Sequence, residues 1–417
     1  MKILHVCQLY YPSLGGNQIH IQLLSEKLVQ LNNEVHVFTA NALVPSQFTQ
    51  EDHSFKPLPK EETINGVHVR RFDINYRLQH FLFKGLYKMR GGFRALHFFL
   101  GQSHDYWQTG PLVFKMLMSI RRLKPDLIVA VLNYSFTTYV CYLAKKLFGF
   151  KLIVMPIIHI SDPRMSHSFL KKIYQSADGL IACTEFEKRY LVSQGVPEGK
   201  IEIHPLGIES GIFDGQDAAN LKKRYHIGEA PIVAYIGRKV KHKGIESLIE
   251  AMPDVWRDFP QAKLLLAGQT RSDFLPILEK CLSKLKPDEL GKVIHVEHFD
   301  ETEKKDFFAA IDIFVMASEI DCFGIVYLEA WLSGKPVIAC KNTAQETIID
   351  DGVNGLLVEY GNPGDLVKAL KVLLRDSSLR ERMGQAGRVK VKEIYNLDTY
   401  ARRIYEGYRR LVEGETR

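Results

Sequence analysis

Short, almost wholly apolar runs alternate with longer amphipathic ones along this chain. Runs that are apolar on both faces and bounded by turn residues read as strands of a parallel sheet covered by helices on each side. On that pattern strands are predicted at 2–8, 35–39, 67–72, 124–131, 151–159, 179–184 and 201–204. Helices are predicted at about 17–31, 134–147 and 185–194, so the chain opens as a βαβ unit. After the turn-rich stretch Pro205-Leu-Gly-Ile-Glu-Ser-Gly211 a second series starts, with strands at 232–236, 262–267, 293–296, 311–317 and 336–340. Its helices are predicted at 245–252, over a long polar stretch before 293, at 303–310, after Phe323-Gly324 and at 363–375, and the last fifty residues read as helical and charged. The restart predicts two domains with a hinge between about Leu206 and Pro231, and 417 residues exceed what one core usually supports.

Composition changes this picture little. The chain is 46% hydrophobic and 25% charged, ordinary globular values. A net charge of +7 suits acidic small molecules or an anionic membrane surface better than nucleic acid. Six dispersed cysteines lack metal or redox spacing, which predicts a reduced, cytosolic setting. The first residues enter a strand without a signal peptide's apolar core, and no apolar run is long enough to span a bilayer. Residues 76–107 mix aromatic and aliphatic side chains with Arg77, Lys84, Lys88, Arg90 and Arg94. They read either as core helices with solvated basic faces or as a surface for peripheral membrane binding at the inner face.

Candidate chemistry clusters where strands are followed by loops and helices, the ends at which open α/β sheets bind ligands. The stretch from Ser318 to Gly334 places Asp321 just before a helix and Glu329 within it, with seven residues between them. The free amides of Phe323, Gly324 and Ile325 at the helix start suit an anion. Carboxylates for hydroxyls beside amides for phosphate suggest a sugar nucleotide. In Gly237-Arg-Lys-Val-Lys-His-Lys-Gly244, Arg238 offers a fork and Lys243 a point charge to a diphosphate. Gly15 and Gly16 precede the first helix, where they permit close backbone approach to a ligand or simply make a tight turn. His159 is expected at the carboxyl end of its strand, as a site residue or a buried, satisfied histidine.

Taken in order, these motifs resemble the family 4 retaining glycosyltransferases, which have the α/β GT-B fold: two facing Rossmann-like domains with a cleft between them. Gly15-Gly16 is similar to their amino-terminal glycine loop, and Thr184-Glu-Phe-Glu-Lys with Gly195-Val-Pro-Glu-Gly-Lys to their Ser-x-x-x-(Lys/Arg)…Gly-Val region. Pro205-Leu-Gly-Ile-Glu209 resembles their hinge, and Gly237-Arg…Lys243-Gly244 their phosphate-binding pair. Asp351-Gly-Val-Asn-Gly-Leu-Leu-Val resembles a further motif, and Asp321 to Glu329 occupies their Glu-x7-Glu motif.

The resemblance implies an acceptor-binding domain over 1–207, with the last helix, about 397–417, packing back on it, and a nucleotide-sugar domain over 208–396. It implies that Arg238 and Lys243 bind the donor diphosphate and that Glu329 holds the ribose. Asp321 would face the transferred sugar, with the amides of Phe323, Gly324 and Ile325 on sugar and phosphate. His159 would sit near the reacting carbon, and Gly15-Gly16 would close on the phosphate. A UDP- or GDP-sugar donor, a hydroxyl acceptor such as a lipid-linked one, retention of configuration and no metal or other cofactor follow from the same resemblance.

Three departures stand out. Asp321 replaces the usual Glu, which shortens its reach by roughly 1.5 Å. Thr343-Ala344 stands where relatives carry Gly-Gly, and Leu206 replaces the hinge Asn. A misplacement of about 1 Å can cost on the order of a hundredfold in rate. Asp321 therefore motivates a second expectation, an inactive homologue that partners an active transferase. A glycoside hydrolase using the two carboxylates would leave the basic loop and the dinucleotide-type sheets unexplained.

Overall fold

The computed structural model describes residues 1–13, 15–80, 110–131, 135–158 and 168–414. They form two units: Met1–Pro205 together with Leu397–Arg417, and Leu206–Asn396. Each is an open, twisted α/β sheet of the kind the apolar runs predict.

The first unit holds β1 (Lys2–Val6), β2 (Glu34–Ala40), β3 (Glu61–Ile64), β4 (Val67–Phe72), β5 (Leu127–Val131), β6 (Leu152–Met155), β7 (Gly179–Ala182) and β8 (Ile201–Ile203). Their order is β3-β4-β2-β1-β5-β6-β7-β8, parallel except for the β3–β4 pair. The unpredicted β3, Glu-Glu-Thr-Ile, is polar because it is an edge strand with no buried residue. β6 stops at Met155, short of the expected 151–159, because Pro156 has no amide for the ladder and Ile157 turns to φ +50°.

Helix α1 (Gly16–Gln30) follows β1. On the opposite face lie α2 (Lys115–Leu123), α3 (Phe136–Phe148), α4 (Ser168–Ser176) and α5 (Glu185–Ser193), because right-handed crossovers run the other way beyond β5. The last helix, Leu397–Glu413, packs on α1, where the buried His20 Nε2 lies 2.9 Å from the Tyr400 hydroxyl. Burial pushes the pKa of His20 down to about 4 and that of the neighbouring His5 to about 3, so this seam is uncharged at neutral pH.

The second unit has six parallel strands in the order β11-β10-β9-β12-β13-β14. They are β9 (Ile232–Ile236), β10 (Lys263–Ala267), β11 (Val293–Val296), β12 (Ile313–Val315), β13 (Val337–Cys340) and β14 (Gly355–Val358). Helix α6 (Ile245–Asp258) runs past the expected stop at 252 with Pro253 inside it. Burial of Val255 and Trp256, with the Trp256 indole donating to the Ala262 carbonyl at 2.9 Å, offsets the hydrogen bond Pro253 removes. The expected long polar helix is instead two, Leu275–Leu282 and Pro287–Leu290, the second starting at a proline. The chain winds outward from β9 through β10 to β11, and in the other direction from β12 through β13 to β14. The β9–β12 boundary is therefore the sheet's switch point, where loops diverge and leave a ligand crevice.

Candidate active site

Two loops leave the carboxyl ends at this switch point. The first follows β9 over residues 237–244, and the second follows β12 into α7 (Ile325–Leu332). They are in backbone contact. Gly244 caps α6 at φ +74°, and a Cβ there would lie 2.1 Å from the Ala317 carbonyl oxygen, so only glycine fits both the conformation and the approach. The Glu319 amide donates to the His242 carbonyl at 2.9 Å.

Side chains repeat the link. Lys243 Nζ donates to Asp321 Oδ2 at 2.7 Å, with both side chains largely shielded. His242 Nδ1 lies 2.7 Å from Glu319 Oε2, which gives the glutamate outside the seven-residue spacing a partner of its own. Arg238 is exposed and makes no ion pair among the described residues. Of the two cations predicted for a diphosphate, Arg238 thus stands open to an incoming anion, while Lys243 is held by the shortened carboxylate.

Helix α7 begins at Gly324, φ +90°, where a Cβ would lie 2.5 Å from the Tyr327 ring. That ring is fixed by its hydroxyl, which donates to the Met316 carbonyl at 2.6 Å. Among the described residues, the amides of Phe323, Gly324 and Ile325 have no acceptor. They are orphan donors at the positive end of the helix dipole, as expected of an anion seat. Within α7, Glu329 is buried and receives a hydrogen bond from Lys304 Nζ at 2.7 Å, while its Oε2 has no partner among the described residues. Burial raises the Glu329 pKa, and Lys304 opposes that rise; the same lysine also lies 3.0 Å from Glu301. A buried carboxylate oxygen without a donor is costly unless a ligand hydroxyl completes it.

The second unit therefore gathers Arg238, Lys243, Asp321, Phe323, Gly324, Ile325 and Glu329 on two loops and one helix. Gly15 and Gly16 belong to the first unit, at the start of α1 and its own switch point between β1 and β5. Gly15 is extended, and a Cβ on Gly16 would meet nothing within 4 Å, so neither conformation nor local packing requires glycine at Gly16. His159 lies outside the described residues, as do residues 81–107 of the basic aromatic stretch.

Four groups were not singled out from sequence. Lys239, amid a loop that reads as solvated and basic, is fully buried; its Nζ donates to the carbonyls of Gly268 and Val296, 3.0 Å away in the second case, and faces Glu297. Burial lowers its pKa, and it ties the ends of β9, β10 and β11 together. Lys304 is masked by a charged helix end. Gln345, beyond β13, is fully buried, and neither side-chain amide atom has a partner among the described residues. Glu187 lies buried under the end of β6; its carboxylate accepts from the Ile158 amide at 2.8 Å and the Cys183 amide at 2.6 Å. Only Glu187 left a signal in sequence: Thr184 three residues earlier makes the helix-capping pattern, and its Oγ1 accepts from the Glu187 amide.

Comparison with known proteins adds relatives to this geometry. The family described as Glycosyltransferase Family 4 matches residues 14–211, and that described as Glycosyl transferases group 1 matches residues 217–390. A GDP-mannose-dependent alpha-(1-6)-phosphatidylinositol monomannoside mannosyltransferase of Mycolicibacterium smegmatis is 28% identical over 54% of this chain and 60% of its own length. Sucrose-phosphate synthase from Thermosynechococcus elongatus superposes with a TM-score of 0.73 at 22% identity, over 99% of both chains. HepE from Anabaena, solved with UDP and glucose, gives 0.73 at 18% identity over 98% of this chain and 99% of its own.

Proposed function

Since this chain belongs to the family 4 glycosyltransferases of GT-B fold, we propose that its second unit binds a nucleoside diphosphate sugar and that the protein transfers the sugar to a hydroxyl acceptor. The observation that carries this reading is the buried, half-satisfied Glu329 carboxylate on the same short helix whose start presents three free amides. One feature needs a hydroxyl donor and the other an anion. A ribose joined to a diphosphate supplies both.

In this reading Glu329 Oε2 accepts from the ribose while Lys304 holds the other oxygen. Arg238 and the amides of Phe323, Gly324 and Ile325 receive the diphosphate. Asp321 and Lys243, paired to each other, face the sugar and its phosphate. Cleaving the sugar–phosphate bond builds negative charge on the leaving diphosphate, and preorganised donors favour that transition state. In this reading the charge on the leaving diphosphate is met by Arg238, Lys243 and the amides. Transfer with retention, His159 near the reacting carbon, Gly15-Gly16 at the phosphate and a UDP- or GDP-sugar donor complete the proposal. The mannosyltransferase relative, by its name, acts on a phosphatidylinositol mannoside. That supports a lipid-linked acceptor and work at a membrane surface, with residues 76–107 as one contact.

The test is a thermal-shift and turnover panel of UDP-, GDP- and ADP-sugars with the purified chain. Stabilisation by one nucleotide class, abolished by Glu329→Ala, is expected. No binding to any nucleotide or donor would overturn the proposal. Tight donor binding with no hydrolysis or transfer, restored by Asp321→Glu, would instead assign the chain as an inactive partner.

A further inference from the structure

The overall charge conceals an asymmetry in the first unit. Residues 74–177 carry 15 lysines and arginines against three aspartates, a net +12 inside a chain whose total is +7, so the remainder is net acidic. Where this stretch is described, seven of its ten cations, Lys115, Arg121, Arg122, Lys145, Lys146, Lys171 and Lys172, fall on one layer of helices. α3 lies between α2 and α4, with Phe169 of α4 against Tyr139 and Tyr142 of α3. None of the three helices contains an aspartate or glutamate. Lys145 is taken by Asp178 at 2.6 Å. Among the described residues the exposed Lys115, Arg121, Arg122, Lys146, Lys171 and Lys172 have no carboxylate partner.

The same layer is apolar between its charges. Leu147 is 62% exposed and Met118 44% exposed. Arg121 of α2 stands 5.1 Å over the Phe148 ring, and Lys146 lies 5.8 Å from the Tyr142 ring, so cationic heads ride on aromatic bodies. Unneutralised cations beside exposed aliphatic side chains match an anionic bilayer, which offers diffuse negative charge and an apolar boundary together. A nucleic acid would offer the charge but nothing for Leu147 and Met118.

We propose that the α2–α3–α4 face is a docking surface for an anionic bilayer, with Leu147 and Met118 entering the headgroup region and Arg121, Arg122 and Lys146 over the lipid phosphates. The residues named here are other than 76–107, and the proposal does not depend on the donor reading.

The test is flotation of the full chain with phosphatidylcholine vesicles, with and without about one-third phosphatidylglycerol. Binding to the anionic vesicles only, lost in high salt, is expected. Since each basic side chain at such a surface is worth roughly fivefold in partitioning, Arg121→Glu/Arg122→Glu should lower binding by at least about tenfold with an unchanged melt. Leu147→Trp, at an exposed position that tolerates substitution, should bind at least as well and blue-shift its fluorescence on vesicle addition. No flotation overturns the proposal. So does flotation unaffected by the double reversal, a Leu147→Trp spectrum that vesicles leave unchanged, or binding to DNA but not to vesicles.

Discussion

Glu187 allows the sharpest quantitative test of how the β6 end is held. It is 2% exposed, and its two oxygens accept the Ile158 and Cys183 amides, so it bridges the ends of β6 and β7. Burial raises its pKa from 4.5 to about 7, against the lowering effect of those amides. A carboxyl whose folded pKa is raised binds its proton more tightly in the folded state. Its stabilising contribution is complete below the ordinary carboxylate range and is lost as pH rises from 4.5 through about 7. That interval corresponds to about 3 kcal/mol. Glu187→Gln keeps the shape and removes the titration. The stability difference between wild type and variant should therefore shrink, or reverse, by about 3 kcal/mol between acid and mildly alkaline pH. For a unit of this size that is roughly 6–12 °C in relative Tm. Scanning calorimetry of both proteins at matched pH values reads it directly, because carboxylates unaffected by the change cancel in the difference. A wild-type-minus-variant difference that is flat with pH, or that grows toward alkaline pH, would refute the burial argument.

Three further outcomes follow from the site. Arg238→Ala should leave stability within about 0.5 kcal/mol, since the side chain is exposed, while lowering donor turnover roughly tenfold to a hundredfold; urea melts and a donor-consumption assay separate the two. Lys304→Met strips Glu329 of its partner and should destabilise by about 2–3 kcal/mol at neutral pH. Because the variant's Glu329 pKa rises further, that loss should be smaller at pH near 5 than near 8; equilibrium denaturation at both values checks the sign. Gly244→Ala combines a left-handed backbone with a clash on the Ala317 carbonyl, and should cost at least about 2 kcal/mol, with donor binding weakened in proportion, as measured by melting and isothermal titration.

Much of the fold was legible because parallel strands buried on both faces leave unmistakable runs. Ile232–Ile236, Val293–Val296 and Val67–Phe72 coincide with the expected segments, and Pro363–Arg375 with the expected helix. Misreadings arose where local signals met tertiary packing. Pro253 reads as a helix stop, but the buried Val255 and Trp256 carry α6 past it. Apolar residues 156–158 read as strand, but Pro156 and the positive φ of Ile157 end β6 early. The polar β3 was invisible because an edge strand buries too little to show a pattern.

The site divides in the same way. Sequence by itself determined the strand–loop–helix order, and with it the placement of Arg238, Lys243, Asp321 and Glu329 at carboxyl ends, because chain order and hydrophobic period are local properties. Which residues touch is not local. Only the tertiary structure put β9 beside β12, seated Gly244 on Ala317, paired Lys243 with Asp321 across 78 residues of chain and left Glu329 with one oxygen held and one unanswered. Lys239 makes the same point from the other side. Its neighbours in sequence are solvated and basic, yet two carbonyls and a glutamate from distant strand ends draw it inside. A charge goes where its partners are, and the partners are assembled by the fold.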